Sequence, residues 1–188
     1  MNLQEAYYEL RFENEFLRGK GDAFETLFDK LMGLAFKADY MPSRPWGNVG
    51  DRKNDGYLKS ERRLFQVYAP NELKATDATN KINEDFEGAK KHWEEYFDKW
   101  VFVHNADAGL PAHVIELLLK LDKENPKIEV SHWSLNELRD LFRRIPTNEK
   151  ETWYGPAPTE ETKSKIGFAD LKIVLESISD SSPPLNSE

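Results

Sequence analysis

The chain has 188 residues, of which 39% are hydrophobic and 12% aromatic, and its formal net charge is −8. This composition predicts one globular domain with a sizeable core and excludes an intrinsically disordered chain. The acidic balance argues against strong nonspecific binding of nucleic acid by the chain alone. The chain has no cysteine, which excludes disulfides, thiolate zinc sites and cysteine nucleophiles.

No stretch of the sequence predicts export or a membrane span. Residues 1–10 lack the apolar core of a signal peptide, and the richest apolar run, 114–121, is interrupted by Glu116 and Lys120. We therefore expect a cytoplasmic protein that does not enter membranes, and the lack of cysteine is consistent with this expectation.

Two helices are predicted in the first part of the chain. Residues 2–18 form a charge-rich helix that ends at a Gly-Lys-Gly sequence. Asp22 then stands at an N-cap position, with Glu25 three residues later at capping-box spacing. Apolar residues follow at helical spacing and predict one buried stripe: Phe24, Leu27, Phe28, Leu31, Met32 and Ala35. Residues 38–54 contain two prolines and two glycines, which predict a loop with room for one short strand.

A β-hairpin is predicted over residues 55–69. A two-residue turn at Ser60-Glu61 would pair Asp55 with Gln66. This register gathers the apolar side chains of the hairpin on one buried face: Leu58, Phe65 and Val67. Asp55, Gln66 and Tyr68 then share the other face, and we expect the first two to point into one open cleft.

Helices and strands alternate after the hairpin. Helices are predicted over residues 76–97, after Pro111, and from a capping box at Ser134 to Arg144. Strands are predicted at 100–104 and 127–131. The order predicts an α/β fold with a mixed central sheet that is built on the hairpin and flanked by helices on both faces.

The last part of the chain is expected to lie outside this domain. The domain is assigned to residues 1–146 and is closed by Pro146. Residues 147–188 are assigned to a linker, which includes 153–158, a further helix over 159–178 and a disordered tail.

The helix, the acid-bearing hairpin and the following helix and strand resemble the restriction-endonuclease-like PD-(D/E)XK superfamily. Asp55 corresponds to the acid of that motif, and Gln66-Val67-Tyr68 aligns with its (E/Q)-x-K. Glu25 corresponds to a glutamate that many members contribute from the first helix. The resemblance covers roughly residues 20–145. The amino-acid sequence of the hairpin region is also similar to that of nuclease-type domains of bacterial anti-phage conflict systems, including those built around ABC-type ATPases.

The resemblance implies a magnesium or manganese ion held by Asp55, Gln66 and Glu25, with hydrolysis of phosphodiester bonds. The sequence departs from the motif because Tyr68 stands where the superfamily has a catalytic lysine. Either a lysine from another part of the chain supplies the amine, or the site is catalytically inactive. Lys74 and Lys81 are the candidate amines, and Lys59 is a third.

Each of these residues also has a structural interpretation. Asp55 suits the start of a strand, Gln66 suits a buried partner for backbone groups, and Glu25 suits a helix cap. His104 ends a buried strand and is interpreted as a core histidine rather than a catalytic one. Basic residues cluster around the hairpin and suit either phosphate contacts or protection of a sheet edge: Arg52, Lys53, Lys59, Arg62 and Arg63.

The leading hypothesis is a divergent, metal-dependent endonuclease, a hydrolase that acts in antiviral defence. The alternative is a catalytically inactive nuclease-fold module for recognition or protein–protein interaction in a defence assembly. The partners expected under these hypotheses are a nucleic-acid substrate, with DNA favoured, a protein of the defence complex and a second copy of the chain.

Overall fold

The computed structural model describes residues 2–43, 53–72 and 74–159. Its helices are α1 (Leu3–Arg18), α2 (Asp22–Phe36), α3 (Ala75–Trp93), α4 (Ala112–Glu124), α5 (Leu135–Arg144) and α6 (Thr147–Tyr154). Its strands are β1 (Tyr40–Pro42), β2 (Gly56–Leu58), β3 (Arg63–Tyr68), β4 (Lys99–His104) and β5 (Glu129–Trp133). The predicted α/β class is confirmed, and β1 is the short strand for which the proline-rich loop left room.

The described strands form one open, mixed sheet in the order β1-β2-β3-β4-β5. β1, β2 and β3 are antiparallel neighbours, whereas β3, β4 and β5 run parallel. The parallel half follows from the helical crossovers α3 and α4, since parallel strands need a long connection. The hairpin and the crossovers therefore meet at β3.

Helices cover both faces of the sheet, as predicted. Between the sheet and α1, α2 and α5 lies a core rich in aromatic rings: Tyr8, Phe12, Phe16, Phe24, Phe28, Phe65 and Phe142. The core between the sheet and α3 and α4 contains Leu64, Ile82, Phe86, Trp100, Phe102, Val114 and Leu118. Leu64 and Phe65 are consecutive in β3, and their side chains point to opposite faces of the sheet. Each lies in a different core, so β3 is buried on both faces.

The predicted register of the hairpin is confirmed. Gly56 pairs with Phe65, and Leu58 pairs with Arg63. The Arg62 N–H donates to the Lys59 carbonyl at 3.2 Å, so Ser60 and Glu61 are the two central residues of the turn.

The start of α2 differs from the prediction. Its N-cap is Gly21, with φ of 49° and no side-chain cap, and Asp22 is already the first helical residue. The Gly21 N–H donates to the Ala69 carbonyl at 2.7 Å, a long-range bond that fixes where the helix begins. The Asp22–Glu25 capping box is therefore wrong. The box at the start of α5 is confirmed, because the Ser134 N–H donates to the Glu137 carboxylate at 2.8 Å.

The chain beyond Pro146 packs onto the domain. Trp153 and Tyr154, predicted to begin a linker, end α6. The Trp153 ring lies 5.9 Å from the ring of Phe142, and the Tyr154 hydroxyl donates to Glu15 at 2.6 Å. These contacts extend the packed body past the predicted boundary at 146. The remainder of the predicted helix over 159–178 and the predicted tail fall, after Thr159, outside the described residues.

Candidate functional site

Asp55 and Gln66 lie side by side on the α3-facing side of the sheet. The Gln66 Nε2–H and the Val67 backbone N–H both donate to the Asp55 carboxylate oxygen Oδ2, each at 2.6 Å. The Asp55 N–H donates in turn to the Phe65 carbonyl at 3.0 Å, which continues the ladder of β2 and β3. The cross-strand pairing expected from the sequence is therefore present as a direct hydrogen bond.

The pair is buried. Asp55 is 7% exposed and Gln66 is 3% exposed, so the expected open cleft is not seen at these two side chains. The neighbouring Asn54 is also buried, and its Oδ1 accepts the Gly56 N–H at 2.9 Å, which fixes the turn into β2.

The Gln66 carbonyl oxygen, Oε1, is buried and has no hydrogen-bond partner among the described residues. An unpaired buried acceptor costs about 1–3 kcal/mol, so its persistence calls for an explanation. Carbonyl and carboxylate oxygens are the ligands that magnesium and manganese prefer. The Gln66 Oε1, which lies beside Asp55, therefore fits a site for a hard divalent cation, with Asp55 and Gln66 as its ligands.

Helix α3 contributes a buried carboxylate to the same face of the sheet. Leu64 precedes Gln66 by two residues and packs with Ile82 and Phe86, so Gln66 also faces α3. On the inner side of α3, Asp85 is fully buried. Its Oδ2 lies 2.8 Å from the Lys81 ammonium, and its Oδ1 lies 3.2 Å from that of Lys53.

Lys53 ties the segment before Asp55 to α3. Its side chain crosses the helix at Gly88, where an added Cβ would overlap the Lys53 side chain. Its ammonium lies 2.5 Å from Glu84, and hydrogen bonds to Glu84 and then to Asp85 raise the Lys53 pKa. In the sequence, Lys53 stands out only as a member of a basic cluster. The available signals were an acidic residue on the apolar stripe of α3 and a glycine in its interior.

Of the three candidate amines, only Lys81 is held by a buried carboxylate of the described residues. Lys81 is held by buried Asp85 on the face that packs against β3. Lys74 is exposed at the start of α3, 3.7 Å from Glu72, and Lys59 is exposed in the hairpin turn. Tyr68 lies on the Gln66 side of β3, and burial raises its pKa, so its phenol stays neutral near neutral pH. A phenol carries no positive charge in either protonation state and cannot replace a lysine ammonium.

Glu25 is not placed on the same face as the pair. It lies in the first turn of α2, and α2 packs on the face of the sheet that carries Phe65, opposite to Asp55 and Gln66. Within the described ranges, no group of three or more histidine, aspartate or glutamate side chains is arranged to hold a metal ion.

Besides Lys53, two further residues of the basic cluster have structural partners. The Arg62 guanidinium lies 3.0 Å from Asp98. That of Arg63 lies 2.7 Å from Glu61 and stacks at 5.0 Å over the Trp133 ring. These contacts fasten the hairpin to β4 and β5.

His104 is the buried core histidine that the sequence predicts. Its Nδ1 accepts the Ala106 N–H at 3.2 Å, which leaves its Nε2–H to donate to His132 Nδ1 at 3.2 Å. Burial, and secondarily the charge of His132, lower the His104 pKa to about 4. The ring is therefore neutral and fully partnered near neutral pH.

Comparison with protein-family models, curated proteins and solved structures gives no match for this chain. Across the described segments, every helix is too short or too polar to cross a bilayer.

Proposed function

We propose that this chain is a divergent, metal-dependent nuclease domain of the restriction-endonuclease-like type, which hydrolyses phosphodiester bonds, with DNA as the favoured substrate, in antiviral defence. The proposal rests on Gln66 Oε1, which lies beside the Asp55 carboxylate on adjacent strands and has no hydrogen-bond partner among the described residues. The two residues occupy the positions at which the resembling superfamily places its acid and its glutamate or glutamine.

In this proposal Asp55 and Gln66 Oε1 hold magnesium or manganese. A cation bound there would lower the pKa of a water molecule and neutralise charge on the phosphate. Asp55 is oriented for this task by the Gln66 and Val67 N–H groups, which fix one of its oxygens. Glu25, the third ligand of the resemblance, gains no support from its place on α2.

Lys81 is the residue that best replaces the missing lysine. Its ammonium would balance the negative charge that develops on the phosphate. Asp85 acts as a positioning residue, since its buried carboxylate lies within 3.0 Å of the Lys81 ammonium at both oxygens. Lys74 is exposed and carries no comparable anchor.

A second candidate is an inactive nuclease-fold module for recognition or protein–protein interaction. Two observations favour it: the pair is buried, and one Asp55 oxygen is already satisfied by two donors of the protein. A substrate phosphate would have to displace whatever covers the pair before it could meet a cation there.

The test is a cleavage assay on supercoiled plasmid, single-stranded DNA and RNA in magnesium or manganese. We expect cleavage by the unmodified chain, a rate lower by about 100-fold or more for Asp55→Ala, and an unchanged rate for Asp140→Ala, an exposed aspartate of α5. Cleavage that survives Asp55→Ala would reject the site. No cleavage of any substrate by the unmodified chain would favour the inactive module.

A further inference from the structure

Helix α1 has two apolar faces: one is buried in the core, and the other is exposed over most of its length. Tyr8, Phe12 and Phe16 are buried in the core. On the opposite side, Leu10 is 65% exposed and Leu17 is 44% exposed. Exposed leucines on a helix that already has a buried face suggest a second contact surface.

The outer face of α1 follows a heptad pattern. Residues recur along it at alternating spacings of four and three: Leu3, Tyr7, Leu10, Asn14 and Leu17. The last three are exposed, whereas Leu3 and Tyr7 are half-buried and Tyr7 packs partly against the core. This spacing matches about two heptads of a coiled coil, with leucine at every d position and Asn14 at an a position. A single asparagine at an a position is the feature that fixes register in parallel, two-stranded coiled coils.

The charges beside the seam suit pairing with an identical helix. Glu13 occupies a g position, and Arg18 occupies the e position five residues later, so in a parallel pair they would meet across the interface. Antiparallel pairing would instead bring e positions together, and two of those positions are Arg11 and Arg18.

The flanking groups are available for such a pair. Arg18 forms no ion pair within the described part of the chain, and it is exposed. Glu13 lies 3.1 Å from Arg139 of its own chain through one oxygen, Oε1, and a carboxylate has two oxygens with which to accept hydrogen bonds.

We infer that α1 is a dimerisation helix, through which two copies of this chain associate in parallel and in register along the outer face. The helix has 16 residues and spans about 24 Å, so the seam is about two heptads long. Such an interface falls at the small end of specific contacts, and the dimer is therefore weak and concentration-dependent. This inference does not depend on the proposed nuclease site.

The first test is sedimentation velocity over about two decades of protein concentration. We expect the unmodified chain to shift from monomer to dimer as concentration rises. Leu10→Glu should remain monomeric, because it places charge in the seam. Leu119→Glu should still dimerise, since Leu119 is a leucine of α4 with 64% exposure, matched to Leu10. Circular dichroism of both variants would verify that they fold.

The second test determines the relative orientation of the two helices by disulfide cross-linking. Because the chain has no native cysteine, only the introduced cysteine can react. Parallel pairing in register brings the two copies of position 14 within disulfide range, about 6 Å between Cα atoms. Under mild oxidation, Asn14→Cys should form a covalent dimer much faster than Leu119→Cys. A chain that is monomeric at every concentration would overturn the inference, and so would equal cross-linking rates for the two variants.

Discussion

The side-chain amide of Gln66 donates to the carboxylate of Asp55 at 2.6 Å across the β2–β3 hairpin. Because the N–H is used in this bond, the carbonyl oxygen of the same amide is directed elsewhere and stays without a partner in the described structure. The bond from Nε2 to Asp55 is expected both for a structural glutamine and for one that binds a metal ion. An Oε1 without a hydrogen-bond partner is expected only where a metal ion can occupy that position.

Replacing Gln66 by glutamate tests whether a divalent cation can bind between positions 55 and 66. In Gln66→Glu, a carboxylate would face Asp55 at hydrogen-bond distance, and two such groups repel when both are ionised. We expect the free energy of unfolding in EDTA to fall by about 2 kcal/mol, because a buried charge-assisted bond is lost and repulsion is added. Magnesium or manganese should restore the melting temperature, since a cation would bridge the two carboxylates.

The matched control for this experiment is Gln4→Glu, at an exposed glutamine of α1. Its melting temperature should respond little to either EDTA or metal. Equal metal responses in the two variants would show that the effect does not arise at the Asp55 site.

Asp85 should be the main anchor between α3 and the segment before β2. In Asp85→Asn the ammonium groups of Lys53 and Lys81 lose their shared buried counter-charge. Both ammonium groups are about a third exposed, so water compensates them in part, and we expect a loss of about 2 kcal/mol in chemical denaturation, as for lost hydrogen bonds to a charged group. Glu87→Gln, at an exposed residue of the same helix, should change stability by no more than about 0.5 kcal/mol. Similar losses for both variants would contradict a special role for Asp85.

His104 gives the protein a defined sensitivity to acid. Its folded-state pKa is about 4, against the usual value of 6.5. Since the folded pKa is depressed, the stabilisation is complete above pH 6.5 and is lost as pH falls from 6.5 towards 4, where the unfolded chain binds a proton that the folded chain rejects. The shift corresponds to about 3 kcal/mol at most.

The measurement is denaturant unfolding at several pH values for the unmodified chain and for two variants. His104→Gln should flatten the pH dependence between pH 6.5 and about 4. His113→Gln, at an exposed histidine of α4, should keep the slope of the unmodified chain. An unchanged slope in His104→Gln would assign the acid sensitivity to other groups.

Elements with a strong local pattern were predicted correctly from the sequence. The hairpin register follows from the two-residue alternation, because a slip by one residue would separate Leu58 from Phe65. The Ser134 capping box is likewise decided by four consecutive residues.

Features set by distant contacts were not predictable in this way. The start of α2 is fixed by Ala69, which lies 48 residues from Gly21 in the sequence. Trp153 and Tyr154 lie next to prolines and suggest a linker, yet they pack on residues of α1 and α5. The contact of Lys53 with Asp85 joins a loop to a helix that follows the whole hairpin, and only the fold reveals it.

The central claim is that Asp55 and Gln66 together bind a hard divalent cation, and the direct measurement is Mn²⁺ binding followed by electron paramagnetic resonance of the free ion. We expect one site on the unmodified chain, weakened about tenfold or more in Asp55→Ala and in Gln66→Leu, and unchanged in Asp140→Ala. Failure of the unmodified chain to bind Mn²⁺, or binding that both site substitutions leave intact, would contradict it.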